Sequence, residues 1–475
     1  MSMQFLINGT WRDSAERVEI RAPFDNAVIG SVFQADKSDV AESIAAAVSG
    51  FERMRQLTTY ERAVLLHRLS EGVARRADDL ARTIAAEAGK PIKAARVEVG
   101  RSIFTFTVAA EETKRIEGDF LPLDLSPSSA GRFGIVRRFP VGPITGITPF
   151  NFPLNLVAHK VAPALAAGNS IIIKPAPQTP MTALKLAEIA VEAGVPPGAL
   201  QVIPCAVENA EPLITDERIK MLTFTGSPAV GWKLKAAARK KKVVLELGGN
   251  AGVIVHSDAN LDFAASRIAQ AGFGYAGQTC IAVQRVLVHR PAMKTFLEKF
   301  IPLVKAFVVG DPFDENTDIG PVVSLQNAER IESWIAEAEA GGAKILLGGK
   351  RRGRLVPPTI LTNTDPEMRV NCREIFGPVV TVEAYNSFEK AIETVNASTF
   401  GLQAGLFTND MRAIFKAYEA LEVGGVIVGD APTFRVDHMP YGGVKDSGFG
   451  REGVKYAIAE MTEPKLLVIN QGNEK

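Results

Sequence analysis

Residues 168–203 read GNSIIIKPAPQTPMTALKLAEIAVEAGVPPGALQVI. Ser170-Ile171-Ile172-Ile173 is an unbroken β-branched run that stops at Lys174-Pro175. Met181 to Glu192 then carries apolar residues at three- and four-residue spacing and closes on Gly194, and Gln201-Val202-Ile203 is again an apolar strand. A strand apolar on both faces, a helix, and a second such strand make a parallel unit covered on both sides. The same alternation extends both ways. Upstream stand the β-rich run PITGIT, ending at Pro149-Phe150-Asn151, and a helix from Leu154 to Ala166. Downstream, MLTF ends at Thr225-Gly226, a helix follows, and VVLEL ends at Gly248-Gly249. The chain is an α/β protein, doubly wound here.

A second alternating series runs from about Gly252 to Val428. Helices are expected over Met293 to Phe307, Leu325 to Ala340, Phe388 to Asn396 and Asp410 to Leu421, and strands at RVLVH, KILL, VVTVE and VIV. Two α/β lobes side by side follow, and no fixed-period repeat suggests a solenoid. Before them, Asn8-Gly9 between FLI and TWR signals a hairpin. Asp36 to Glu112 is helical in pattern, with an end and restart at Gly89 and Pro91. The stretch Gly118 to Phe139 breaks this rhythm with Pro122, Pro127 and serines and ends in the strand-like FGIVRRF. The tail closes on the apolar run KLLVIN, an exposed edge unless something pairs with it.

Composition bounds the partners. The 475 residues are 46% hydrophobic and 23% charged, the balance of a globular chain. Fifty-four basic against 53 acidic residues leave a net charge of +1, which argues against nucleic acid or anionic membrane as a bulk partner. Three cysteines exclude a disulfide scaffold and point to a reducing, cytoplasmic setting. No apolar run approaches a membrane span and no leader is evident, so the Asn8-Gly9-Thr10 glycosylation triplet has no context.

Ligands of open α/β sheets bind beyond the carboxyl ends of the strands, which selects Asn151, Lys174, Gly226 and Glu246. No G-x-G-x-x-G follows a strand, but Thr225-Gly226-Ser227 and Gly231 stand where backbone amides can hold a pyrophosphate; turn glycines are the alternative. Lys174 reads either as a solvated strand end or as a ligand for ribose hydroxyls. Glu246 reads either as a desolvated general base or as a carboxylate reaching water. Cys205 resembles a core thiol, and Cys372 lies beside no positioned base. Cys280, in GFGYAGQTC after glycines that permit close backbone approach, is the candidate nucleophile, with an inert buried thiol as the alternative. The five histidines and the absence of C-x-x-C support no metal site. The basic run Arg239-Lys240-Lys241-Lys242 reads as a solvated helix end.

Taken in order, Pro149-Phe150-Asn151-Phe152-Pro153, Lys174-Pro175-Ala176, Phe224-Thr225-Gly226-Ser227, Leu245-Glu246-Leu247-Gly248-Gly249, Gly277-Gln278-Thr279-Cys280 and Glu374-Ile375-Phe376-Gly377-Pro378 resemble the aldehyde dehydrogenase superfamily over essentially the whole chain. The segment FRVDHMPYGGVKDSGFGREGVKYAIAEMT is most similar to the lactaldehyde and non-phosphorylating glyceraldehyde-3-phosphate dehydrogenase branch. The resemblance implies NAD(P)-dependent oxidation of an aldehyde through a cysteine thiohemiacetal and thioester. Cys280 would be the nucleophile, Glu246 the base for hydrolysis, and Asn151 an oxyanion donor together with the Cys280 amide. The cofactor, NAD or NADP, would be contacted by Thr148, Pro149, Phe150, Lys174, Ala176, Pro177, Gly226, Ser227, Gly248, Glu374 and Phe376.

Arg101, Phe152, His159, Thr279, Ile281, Arg435 and Tyr441 would line the substrate pocket. Arg101 and Arg435 there suit a small polar aldehyde, hydroxylated or anionic, unless both simply pair with acidic neighbours. Pro177 replaces the glutamate that many NAD-dependent members carry, so NADP is expected to be tolerated. The implied domains are a Rossmann-like cofactor domain (1–117 and 138–247), a catalytic domain (248–454) and a small β oligomerisation element (118–137 and 455–475) serving a homodimer or homotetramer. A coenzyme A-acylating enzyme and a catalytically inactive relative are the alternatives. Glu246 argues against the first, and the presence of Cys280 against the second.

Overall fold

The computed structural model describes residues 2–471. Its first lobe is built on an eight-stranded sheet. The spatial order is Gly448–Phe449, Lys242–Glu246, Met221–Thr225, Ile144–Ile147, Ile171–Lys174, Leu200–Val202, Phe5–Ile7, Thr10–Arg12. The five central strands are mutually parallel and buried on both faces, as their unbroken apolar runs require. From Ile144–Ile147 the chain winds outward through Ile171–Lys174 to Leu200–Val202, then crosses back to Met221–Thr225 and Lys242–Glu246. The reversal of direction lies between Ile144–Ile147 and Met221–Thr225. It opens a crevice beyond Ile147 and Thr225, the position where such sheets take ligands.

The helices match the expected periodicity closely. Asn155–Ala167 and Pro180–Glu192 cover this sheet, and Lys37–Met54 and Thr59–Arg75 start at capping boxes on Asp36 and Thr58. The Asn8-Gly9 hairpin turns with φ of 51° and 76°, the left-handed pair that a two-residue loop demands.

The second lobe has a seven-stranded sheet in the order Lys344–Leu347, Thr359–Thr362, Val379–Tyr385, Val283–His289, Ala251–Val255, Gln403–Phe407, Gly425–Val428. All pairs are parallel except the first. Within the stretch expected to belong to this lobe, 248–454, one short strand reaches the other sheet. Gly448–Phe449 pairs antiparallel with Lys242–Glu246 of the first lobe, setting Gly448 opposite Glu246. A side chain at Gly448 is barred twice, by a φ of 158° and by the Leu245 carbonyl 2.4 Å from where its Cβ would stand.

Asp119–Pro122, Arg132–Pro140 and Thr462–Asn470 form a separate antiparallel sheet, so the tail finds its partner within the chain. Among the described residues no helix is long and apolar enough to cross a membrane.

Candidate active site

A cavity of about 770 Å³ opens where the crevice of the first lobe meets the second. Four strand-end segments line it. Thr148 to Phe152 follows Ile144–Ile147, Lys174 to Gln178 follows Ile171–Lys174, Gly226-Ser227 follows Met221–Thr225, and Glu246 to Gly248 ends the last parallel strand. Lys174 is only 6% exposed, and its ammonium makes no hydrogen bond or ion pair among the described residues. Burial draws its ammonium below the usual lysine range. Ser227 stands at the start of the Pro228–Ala237 helix, whose free amides face the same space.

The second lobe brings Cys280. The loop before it turns through Tyr275, Ala276 and Gly277, all left-handed with φ of 50°, 52° and 65°. Two non-glycine residues in that region store strain of about 1–3 kcal/mol each, held only by their surroundings. Gln278 supplies part of the hold. Its Oε1 accepts the Val323 N–H at 2.9 Å, and its carbonyl accepts from Asn151 Nδ2 at 2.9 Å. That second bond fixes which end of the Asn151 amide is nitrogen and leaves one N–H over. The Cys280 backbone N–H donates to no group among the described residues. Gly249 lets the two loops touch, because a Cβ there would stand 2.0 Å from the Cys280 carbonyl oxygen.

The Cys280 thiol lies 3.0 Å from Tyr441 Oη, and burial pushes it up to about 11. Glu246 is 3% exposed, and neither carboxylate oxygen has a partner. Burial, reinforced by the nearby Glu452 carboxylate, raises it well above the usual range. Glu374 accepts the Gly249 N–H at 2.9 Å and is raised by burial to about 7. Phe376 packs edge-on against Phe150 with ring centroids 5.8 Å apart.

One wall is charged. Arg435 bonds Glu452 at 3.1 Å and lies 3.6 Å over the Tyr441 ring. Lys160 reaches the other oxygen of Glu452 at 3.0 Å and donates to Thr223 and Thr225. Burial opposes the charge on Glu452, but Lys160 and Arg435 outweigh it and hold the carboxyl at about 2. Arg101 pairs with Asp437 at 2.7 Å. The acidic partners considered for both arginines are therefore present, and both guanidinium groups still line the cavity.

Of the site residues expected from the sequence, all but one line this single cavity, Ala176, Pro177, Thr279 and Ile281 included. The exception is His159. It sits behind the wall, 2% exposed, with Nε2 2.8 Å from Asp437, because that carboxylate draws the ring away from the cavity. Glu452, Lys160 and Asp437 were not anticipated. The one hint was that Asp437 and Glu452 fall in the C-terminal run that carries the resemblance.

The cysteine with its free backbone N–H, the second N–H of Asn151 and the unpartnered carboxylate form one constellation on a two-lobed α/β frame. A model described as the aldehyde dehydrogenase family matches residues 11–467. The chain belongs to the aldehyde dehydrogenase family. A 3-sulfolactaldehyde dehydrogenase of Priestia megaterium is 47% identical over 465 residues, 98% of this chain and 97% of that one. Among solved structures, aldehyde dehydrogenase 21 from Physcomitrella patens in complex with the reaction product succinate is 44% identical with a TM-score of 0.98, covering 100% of this chain and 99% of that one. The glyceraldehyde-3-phosphate dehydrogenase GapN from Methanocaldococcus jannaschii, complexed with NADP, is 39% identical with a TM-score of 0.92, covering 97% and 99%. The enzyme class and fold expected from the six motifs are those found. As an NAD(P)-dependent dehydrogenase the chain must hold a dinucleotide, and the unpartnered Lys174 ammonium beside a free helix N-terminus suits its ribose and phosphates.

Proposed function

We propose that this dehydrogenase oxidises a small hydroxylated or anionic aldehyde to its carboxylic acid, with Cys280 as nucleophile. The observation that carries the reading is convergence. Cys280, Glu246 and Asn151 face one cavity, each with an unused reactive or donor group.

Loss of the Cys280 proton to solvent gives the thiolate, whose sulfur bonds to the aldehyde carbon. The oxyanion so formed accepts from the free Asn151 N–H and the Cys280 backbone N–H. Lys174 and the residues around Gly226, Ser227, Gly248 and Glu374 would hold NAD or NADP, which when bound would supply the hydride acceptor for that carbon. Glu246 in its ionised form takes a proton from water, the hydroxide adds to the Cys280 thioester, and the thiolate leaves with release of the acid. The unpartnered Glu246 oxygens favour this hydrolysis over release to coenzyme A.

Arg435 supports the substrate class. Its buried Nε has no partner, so a donor remains for a hydroxyl or anionic group. Arg101 at the cavity wall adds positive charge. The substrates and product in the names of the relatives, sulfolactaldehyde, glyceraldehyde-3-phosphate and succinate, are small and polar. Pro177 presents no carboxylate to a 2′-phosphate, which favours acceptance of NADP.

The cofactor lobe (1–117 and 138–247), the catalytic lobe (from 248) and the three-stranded sheet built from 118–140 and the tail are read as working units, the last joining subunits of a homodimer or homotetramer. Three free cysteines fit a reducing cytoplasm. The test is a panel of aldehydes with both cofactors. Lactaldehyde, glyceraldehyde and their anionic analogues should outperform long-chain and benzylic aldehydes in kcat/KM, and Cys280→Ala should be inactive with all of them. A preference for NAD over NADP beyond about a hundredfold, ~2.7 kcal/mol, would contradict the reading of Pro177.

A further inference from the structure

Behind the active site, outside the cavity lining, lies a buried ion pair that the mechanism does not use. Lys90 and Glu98 are each 1% exposed and pair directly. Lys90 stands in the turn between two helices, Ala77–Ala88 and Ile92–Thr113, and Glu98 lies within the second. Burying two opposite charges is frequently no more stabilising than burying two apolar groups, so stability alone does not account for the pair. Its contacts do.

The Lys90 ammonium lies 3.7 Å from the centre of the Phe152 ring and 4.4 Å from that of Tyr275, and the two rings meet edge-on at 6.3 Å. Phe152 adjoins Asn151 in the first lobe. Tyr275 begins the left-handed turn that leads to Cys280 in the second. The same cation thus holds both loops that carry the reacting groups, and cation–π attraction strengthens where water is excluded. Tyr275 is tied down again by its hydroxyl, which donates to the Ala88 carbonyl at 3.1 Å. Glu98 completes the clamp. Its Oε1 accepts the backbone N–H groups of Leu154 and Asn155 at 2.9 and 3.2 Å, at the start of the helix that follows the Asn151 loop. Glu87 on the preceding helix does the same for the next one, accepting from the amides of Met181 and Thr182, each at 2.9 Å.

We propose that Lys90 and Glu98 are positioning residues that fix Asn151 and Cys280 relative to each other across the two lobes. This rests on the roles given to Asn151 and Cys280 above. Neither member touches the substrate; the pair acts through the Phe152 and Tyr275 rings and the Leu154 and Asn155 amides.

The experiment is a double-mutant cycle in the full-length enzyme. Lys90→Met, which keeps an unbranched side chain one atom shorter and removes the charge, should lower kcat about tenfold or more while the KM for NAD(P) moves less than about threefold. Lys90→Arg, which keeps the cation, should retain more activity than Lys90→Met. In an Asn151→Ala background Lys90→Met should cost less than about twofold further, because with Asn151 gone its placement relative to Cys280 no longer matters. Losses that multiply, equal losses for Met and Arg, or an unchanged kcat in Lys90→Met would each overturn the proposal. If Lys90→Met does not fold, Tyr275→Leu removes one ring and keeps the ion pair; it should lower kcat with the same unmoved KM, and an unchanged kcat would overturn the clamp. Asn151→Ala alone with full activity would instead sink the oxyanion role, so the two failures are told apart.

Discussion

At the scale of single residues, burial works against ionisation of both Cys280 and Glu246 in the resting site. The Cys280 thiol is pushed up to about 11 by burial, against an ordinary cysteine value of about 8.5. The thiolate is the reactive species, so alkylation of Cys280 by iodoacetamide should keep rising with pH up to about 11 in the cofactor-free enzyme. A rate that levels off near 8 or 9 would show that the thiol is not buried as described. Cys205 is raised to about 11 as well, but it is buried in the core of the first lobe. A Cys280→Ser control therefore isolates the signal. Glu246 serves the second half-reaction and works only when ionised, so turnover should fall as the pH drops below its raised value. Its carboxylate has no partner to lose, which makes Glu246→Gln a clean substitution. Stopped flow should then show a burst of NAD(P)H from acylation followed by turnover slower by about 10²–10⁴-fold, the usual worth of a general base. Loss of the burst itself would assign Glu246 to the first step instead.

At the scale of elements, the loop Gly274–Gly277 decides whether Cys280 is presented at all. Gly277 combines a φ of +65° with a site where a Cβ would stand 2.2 Å from the Gly377 carbonyl oxygen. Gly277→Ala should therefore lower stability by about 1–3 kcal/mol or more and disturb Cys280. Thermal unfolding and alkylation of Cys280 measure the two effects, and an unchanged Tm would show that the loop can relax. This loop also marks how far the sequence could be read. The parallel units were legible because strands such as Ile171–Lys174 are apolar on both faces, and the cavity residues because the chain turns polar or glycine-rich where each strand ends. The left-handed run was not legible: Tyr275 and Ala276 carry no propensity for it, and the long-range contacts of Tyr275 and Gln278 impose it. The charged wall was hidden for a related reason. Lys160 and Glu452 are 292 residues apart, and nothing local distinguishes a buried partner from a solvated charge. His159 reads as a pocket residue from its neighbours, and only the position of Asp437 turns it away.

At the scale of the whole molecule, the three-stranded sheet stands apart from both cores. Thr462–Asn470 pairs with Arg132–Pro140 through nine consecutive residue pairs, and among the described residues no strand pairs with its other edge. Leu466, Leu467 and Val468 are 50%, 56% and 48% exposed, so both faces of the strand show apolar side chains. Phe120, 68% exposed, stacks on Phe133 and extends the apolar surface. A lone chain would leave a long apolar edge in water, the arrangement that invites pairing with another copy. Leu467→Lys places a charge on that strand without touching either core or the cavity. The wild-type enzyme should sediment as a dimer or tetramer, and Leu467→Lys should shift it toward smaller species in a concentration-dependent way. The chemistry at Cys280 should survive in whatever dimer or monomer remains, because Leu467 lies outside the cavity lining. A monomeric wild type would remove the assembly role from this sheet. A variant whose mass is unchanged would move the interface elsewhere on the surface.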